Sequence, residues 1–417
     1  MRDREQLVRE AILTATLSRA TGTAVYGCDL RLPGMLVARV VHSPLPHCLV
    51  RAIHTATAKA IPGVHAVLTA RDIPGRKLIG KMYFDQPVLV LDRARTVLDS
   101  MCLIAAESEE LAEQAAEALE FDLEPLPVVT SPQEALKPGA PQLHKGGNLL
   151  KHIKVRCGDV KRGFAQADVI IENEYHLPFI EHAFLETESA VAAPKGDKIT
   201  VWVGSQNPYL ERSQVAAALG LPEEKVEVVD MHAGGGFGGK DDGLVAIFVA
   251  LLAHATGRPV RLFFDRKQSI RGHSKRHAWT IHSKWGATGE GKLTAVETEM
   301  YADTGAYAHW GEPIATFVSL LSTGPYEVPH VKVDTYVVYT NNLVGAAMRA
   351  WDNQAGAFVT ESQMDELAAA LGIHPLKLRW FNALREGSEL ICGGTAPRGV
   401  GIRATLEAAA QVVGVTL

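Results

Sequence analysis

The run His232-Ala233-Gly234-Gly235-Gly236-Phe237-Gly238-Gly239-Lys240 decides how this chain is read. Residues 225–230 before it, Lys-Val-Glu-Val-Val-Asp, alternate polar and apolar positions and predict a strand. Residues 244–254 after it are almost entirely apolar and predict a buried helix. Five glycines around one phenylalanine free the backbone of side-chain bulk, so the loop can approach a ligand and aim N–H groups at it. A strand, a glycine loop and a helix start together suit a ligand that is flat, anionic or phosphorylated.

Two nucleotide patterns overlap the run. Residues 234–240 fit G-x-x-x-x-G-K, but Asp241 stands where magnesium coordination needs Ser or Thr, and its carboxylate would repel phosphates. Gly234, Gly236 and Gly239 fit G-x-G-x-x-G, with Asp265 downstream as a ribose partner. That fingerprint opens its domain, whereas here about half the chain precedes it. A glycine-rich structural turn is the plain alternative.

The wider context favours something else. Upstream lie Glu181-His182-Ala183-Phe184-Leu185-Glu186-Thr187-Glu188 and Trp202-Val203-Gly204-Ser205-Gln206-Asn207-Pro208. Downstream lie Asp303-Thr304-Gly305-Ala306-Tyr307-Ala308, Ala347-Met348-Arg349-Ala350-Trp351 and Met364-Asp365-Glu366-Leu367. This ordered series resembles the molybdenum-binding subunit of the xanthine dehydrogenase and aldehyde oxidase family. Tyr26-Gly27-Cys28-Asp29-Leu30-Arg31-Leu32-Pro33-Gly34 and Ile61-Pro62-Gly63-Val64-His65-Ala66-Val67 are similar to that family's hammerhead segments. The resemblance covers nearly the whole chain from Thr21. It implies an α+β protein: a tail or helix over 1–20, an α/β hammerhead domain over 21–130, a linker over 131–147 and the first molybdopterin-binding α+β domain over 148–417.

Composition agrees with a large globular protein. The 417 residues leave room for two or three domains, and 47% hydrophobic content supports sizeable cores. A net charge of −5 carries no basic bias toward nucleic acid. No continuous signal-peptide core opens the chain, and the apolar stretch after Gly243 is too short to span a bilayer. Cys28, Cys48, Cys102, Cys157 and Cys392 are scattered, without C-x-x-C, so the chain carries no thiolate cluster of its own. Scattered thiols suit a reducing cytoplasm, and all five read as buried and inert. Local patterning predicts strands at 35–41, 66–69 and 88–91, a helix over 107–118 and a strand over 118–124. It also predicts helices over 210–219 and 355–371, closed by Gly220 and Gly372 with Pro222 and Pro375 beyond, and a last helix over 404–413. Residues 125–147, rich in Pro, Ser and Gly, read as a linker crossing the surface.

The resemblance implies site residues. It places Gln206 beside the oxo ligand of a molybdenum–molybdopterin cofactor, of which a cytosine dinucleotide form exists, with an amide N–H donating. The plain alternative is a surface glutamine before a proline turn. Gly236, Phe237, Gly238 and Gly239 would lie against metal and pterin through backbone N–H groups, with no protein ligand to the metal. Lys240 either balances anionic charge or is a solvated helix-start lysine. Asp241, where the family commonly has Glu, either bonds substrate or favours a helix start. Arg349 matches an arginine that orients an anionic or carbonyl oxygen, and Trp351 an aromatic that stacks on a planar substrate, core packing being the alternative.

Departures matter as well. After the aromatic the family often reads Gly-x-Pro-Gln, but here stand Asp352-Asn353-Gln354-Ala355, which reads as an altered substrate pocket. Phe317 or a neighbour occupies the place of a substrate arginine in purine-oxidising members, which disfavours purine. The family's general-base glutamate belongs to a second half beyond Leu417. The expectation is therefore a split subunit, similar in size to that of nicotinate-hydroxylating members. It would be completed by a second molybdopterin-binding half-subunit, a two-iron two-sulfur subunit and an FAD subunit. A metal-free scaffold and a nucleotide-binding protein remain as other classes.

Overall fold

The computed structural model describes residues 13–14 and 16–417, so most of the tail or helix expected over 1–20 lies outside the described residues. The chain divides into two compact units, each assembled from separate stretches. The first comprises residues up to Ile79, Pro87–Leu126 and His182–His273. Its frame is a seven-stranded sheet in the order Val226–Asp230, Lys198–Val203, Ser189–Lys195, Val260–Phe263, Leu36–His42, Ser100–Ala106, Val64–Leu68. The strand leading into the glycine run lies at one end of it, parallel to Lys198–Val203, with Val203 opposite Asp230. The expected strand 225–230 and helix 244–254 are both present, as Val226–Asp230 and Leu244–Thr256. The helix packs on this sheet and is buried from Ala246 to Ala253, which explains why its sequence is apolar all round.

Ser100–Ala106 is buried at every position. It lies between two strands and carries an unbroken apolar run, Met101 to Ala106, so alternation does not reveal it. Residues 88–91, by contrast, are not a strand. Val88, Leu89 and Val90 are buried, but their segment leaves Pro87 irregularly, with Val88 N–H on the Lys77 carbonyl and Val90 N–H on the Ser100 carbonyl. Hydrophobic burial there is satisfied without a ladder. Helix Glu109–Glu117 starts at Ser108, whose hydroxyl accepts from Leu111 N–H at 3.3 Å. With Cys48–His54 and Glu120–Pro125 it encloses a subsidiary core around Met101, Ile104 and Ala115.

The second unit comprises Gly80–Gln86, Pro127–Glu181 and Ser274–Leu417. A five-stranded sheet runs Val169–Leu177, Ala278–Ala287, Leu293–Gly305, Val331–Tyr339, Leu149–Cys157. All pairs are antiparallel except Leu293–Gly305 with Val331–Tyr339. Period-two alternation sends Trp279, Ile281 and Trp285 into a core shared with Val359, Met364 and Leu367 of helix Asn353–Leu371. Glu172, Glu174, His282 and Lys284 take the other face. Gly220 and Gly372 both end their helices in the left-handed region, at φ 67° and 65°. Helix Ile402–Val413 stands where a last helix is expected.

Two expectations fail on burial. The stretch read as a surface linker is packed into the second unit. It contains helix Pro132–Ala135, and Leu143 is fully buried in a cluster with Val129, Ala308 and Val338. The Asn148 side chain accepts from Leu143 N–H (2.9 Å) and donates to the carbonyls of Ala135 (3.0 Å) and Pro141 (2.8 Å), which satisfies a turn-rich backbone away from water. The cysteines are not uniformly buried either: Cys48 and Cys102 are, Cys28 and Cys157 are half-buried, and Cys392 is exposed. Burial pushes the Cys102 thiol up to about 12, so that thiol is inert.

Asp303, at the end of Leu293–Gly305, is buried and accepts from Thr340 Oγ1 (2.6 Å), Asn342 Nδ2 (2.6 Å) and Gly305 N–H (2.9 Å). Desolvation outweighs these bonds and raises its carboxyl to about 6. The folded state therefore holds this proton more tightly than the unfolded chain, where Asp titrates near ~3.9. The resulting stabilisation is complete below the unfolded value and is lost as pH rises through about 6. Denaturant titrations between those pH values should show a smaller fall in stability for Asp303→Asn than for the wild type; equal slopes would refute the assignment.

Candidate functional site

Lys198–Val203 and Val226–Asp230 are parallel neighbours, so the loops leaving their C-terminal ends emerge side by side. In open α/β sheets such ends are where ligands bind. The first loop is Gly204-Ser205-Gln206-Asn207; the second is the glycine run. Ser205 N–H donates to Asp230 Oδ1 (3.1 Å), Met231 N–H to the Val203 carbonyl (2.9 Å) and Gln206 N–H to the Lys240 carbonyl (3.2 Å). Asn207 then caps helix Pro208–Leu219 through Leu210 N–H.

The glycine loop is wrapped around one atom. Gln206 Oε1 accepts from Gly238 N–H at 2.9 Å and from Lys240 N–H at 3.3 Å. Two donors on one end of the amide fix which end is oxygen. The NH2 end makes no hydrogen bond among the described residues, and the side chain is exposed. The turn that permits this needs φ of 100° at Gly235, 51° at Phe237 and 107° at Gly238. Gly236 is glycine for space, since a Cβ there would lie 2.6 Å from Gln206 Oε1. A Cβ on Gly239 would meet the Phe184 ring at 2.8 Å. The glycines thus allow close approach to the protein's own residues, and the N–H groups of Gly238 and Gly239 are taken up by Gln206 and the Gly236 carbonyl rather than standing open. Phe237, 46% exposed, projects from the turn.

Behind the loop is a pair that local sequence reading does not find. Glu186 Oε2 accepts from Lys240 Nζ and from Gly234 N–H, each at 2.6 Å; the Lys240 side chain is buried and that of Glu186 is 10% exposed. Lys240 Nζ also lies 5.1 Å from the Phe184 ring centroid. Lys240 is therefore not solvated, and as a phosphate-binding lysine it would have to abandon its carboxylate partner. The other nucleotide pattern loses its acidic residue: Asp265 caps helix Arg266–Gly272, accepting from Gln268 N–H at 2.7 Å. Asp241 is half-buried, its N–H on the Gly238 carbonyl, in the short turn that ends the loop.

Arg349 and Trp351 belong to the second unit. Arg349 is exposed and its side chain makes no hydrogen bond or ion pair among the described residues. Trp351 is 41% exposed, which excludes the core-packing alternative, and its ring lies 5.5 Å from that of Trp310. Ala350, Trp351 and Asp352 all adopt positive φ, at 74°, 47° and 56°. Each such non-glycine residue costs about 1–3 kcal/mol and persists only where neighbours enforce it. The enforcing group is Asp352, fully buried against Arg276 Nη1 (3.2 Å), His277 Nδ1 (2.8 Å) and Trp279 Nε1 (3.1 Å). The departure at 352 is thus an internal anchor and not a pocket-lining change. Its sequence signal was a carboxylate standing where the related pattern has glycine. Phe317, on helix Gly311–Leu320, is 42% exposed.

Comparison with known proteins agrees across the chain. Residues 143–383 match the family described as molybdopterin cofactor-binding domain, and residues 21–127 match the aldehyde oxidase and xanthine dehydrogenase a/b hammerhead domain. A nicotinate dehydrogenase large molybdopterin subunit of Eubacterium barkeri is 37% identical over 98% of this chain and 97% of its own length. A probable xanthine dehydrogenase subunit of Bacillus subtilis is 40% identical over 87% of this chain and 49% of its own length. The aldehyde oxidoreductase structure from Desulfovibrio gigas superposes with a TM-score of 0.90 at 29% identity, covering 95% of this chain and 45% of that one. The chain thus spans about half the length of the latter two and nearly all of the first. The fold is the α+β combination of hammerhead and molybdopterin-binding domain.

Because Lys240 is buried and Glu186 nearly so, breaking the pair strands a charge largely out of water. Lys240→Met should destabilise the protein by about 3–5 kcal/mol, and adding Glu186→Gln should restore part of that. The check is the shift of the denaturation midpoint in both variants; equal destabilisation in the single and double variants would contradict the pair's role.

Proposed function

This chain belongs to the aldehyde oxidase and xanthine dehydrogenase family, and we propose that it is the molybdenum-binding subunit, or half of it, of a molybdenum hydroxylase. The reaction would oxidise a C–H bond of an N-heterocycle or an aldehyde. Water supplies the added oxygen, and two electrons leave through iron–sulfur and FAD partner subunits. A second molybdopterin-binding half would carry the general base and complete the site. The nicotinate dehydrogenase subunit of matching length supports a heteroaromatic substrate and a split subunit. No described helix is long and apolar enough to cross a membrane, and we assign the complex to the cytoplasm.

The observation that carries this reading is the state of Gln206: its oxygen is held by two backbone N–H groups while its NH2 end has no hydrogen-bonding partner among the described residues. A donor fixed in direction before ligand arrives is what electrostatic pre-organisation requires. The residues present fit a molybdenum–pterin group, in its plain or cytosine dinucleotide form. Such a group supplies the two-electron chemistry when bound. Gln206 would donate to it, and Phe237, with the loop residues Gly236, Gly238 and Gly239, would wall it. Arg349 would orient an anionic or carbonyl oxygen of the substrate, Trp351 would stack on its plane, and Asp241 is assigned a substrate hydrogen bond.

The test is to coexpress the chain with its partner subunits, measure molybdenum and pterin in the purified complex, and assay heteroarenes and aldehydes. Metal and turnover are expected together; a complex without metal would instead favour a scaffold. Gln206→Ala should lower kcat roughly 10²-fold with the overall fold intact and only the glycine loop, which loses its shared acceptor, loosened. A variant that turns over at the wild-type rate would remove Gln206 from the site.

A further inference from the structure

We propose that Asp352 is a positioning residue that, through Arg276, His277 and Trp279, locks the turn presenting Arg349 and Trp351 to substrate. The proposal rests on the reading of Arg349 and Trp351 as substrate residues, but the lock itself stands on geometry alone.

Three consecutive non-glycine residues at positive φ do not hold themselves in place. Arg276 bridges the two ends of the run: Nη2 donates to the Arg349 carbonyl at 2.7 Å and Nη1 to Asp352 Oδ1 at 3.2 Å. The other carboxylate oxygen takes His277 Nδ1 at 2.8 Å and Trp279 Nε1 at 3.1 Å. All three donors come from the start of strand Ala278–Ala287 and the residues just before it, so the run is fastened to the sheet. Arg276, His277, Trp279 and Asp352 are all buried. Short bonds complete the turn, from Trp351 N–H to the Met348 carbonyl (2.8 Å), Asn353 N–H to Ala350 (2.9 Å) and Ala355 N–H to Asp352 (2.8 Å). The two side chains left outside this fastening are Arg349 and Trp351, both exposed. A buried anchor with two exposed recognition side chains is how a loop is kept in register for a ligand.

Asp352→Gly separates strain from positioning. Glycine accepts the positive φ without cost but removes every carboxylate bond. In the assembled complex, amide exchange at residues 349–355 should quicken and the melting temperature should fall, because Arg276 is left buried without its carboxylate. The value of kcat/KM should fall on the order of 10²-fold, mostly through KM. Asp352→Asn, which keeps one acceptor oxygen, should recover part of both effects. Should Asp352→Gly fail to assemble, Trp279→Phe removes one donor and should show the same changes in smaller measure. Unchanged exchange over 349–355 overturns the lock. Quickened exchange with unchanged KM overturns the positioning role. A wild-type complex without turnover would sink the functional reading, and the exchange experiment would still decide the lock.

Discussion

Two backbone N–H groups converge on the side-chain oxygen of Gln206, and most of what is distinctive in the first unit follows from that constraint. For Gly238 and Lys240 to reach one acceptor, the chain must turn back within a few residues. That requires positive φ at Gly235 and Gly238, no Cβ at Gly236, and a seat for the loop's underside. The seat is Phe184 with Glu186, whose carboxylate gathers Lys240 and the Gly234 N–H. The parallel pairing of Lys198–Val203 with Val226–Asp230 supplies the rest, because it delivers both loops to the same end of the sheet.

Both units use the same device. A carboxylate held away from water, largely so for Glu186 in one and fully for Asp352 in the other, collects donors from distant sequence beside a backbone run that visits left-handed conformations. In each, the charged anchor is hidden and the polar or aromatic groups that project are half-exposed or exposed. The energetic logic is shared as well. Strain of a few kcal/mol is tolerable where a buried charge has no better place to go, because leaving that charge unpaired costs at least as much.

What the sequence discloses follows from how local each signal is. The glycine run, the strand before it, the apolar helix after it and the helix stops at Gly220 and Gly372 are written within windows of a few residues, and all appear where expected. Ser100–Ala106 escapes because a strand buried on both faces has no alternation. The stretch from Pro125 to Gly147 misleads because turn-forming residues describe backbone shape, not exposure, and Asn148 removes the usual reason for such backbone to stay in water. Lys240 with Glu186, and Asp352 with His277, are separated by 54 and 75 residues, so neither pairing is legible in any local pattern. The family resemblance points to Gln206 but carries no hint that its oxygen is held by the glycine loop.

The most direct measurement is a high-resolution structure of the assembled, metal-loaded complex. Gly238 and Lys240 N–H should remain within hydrogen-bonding distance of Gln206 Oε1, with the Gln206 NH2 turned toward the bound group. A loop in which those N–H groups have left Gln206 and bind the cofactor themselves would contradict the account.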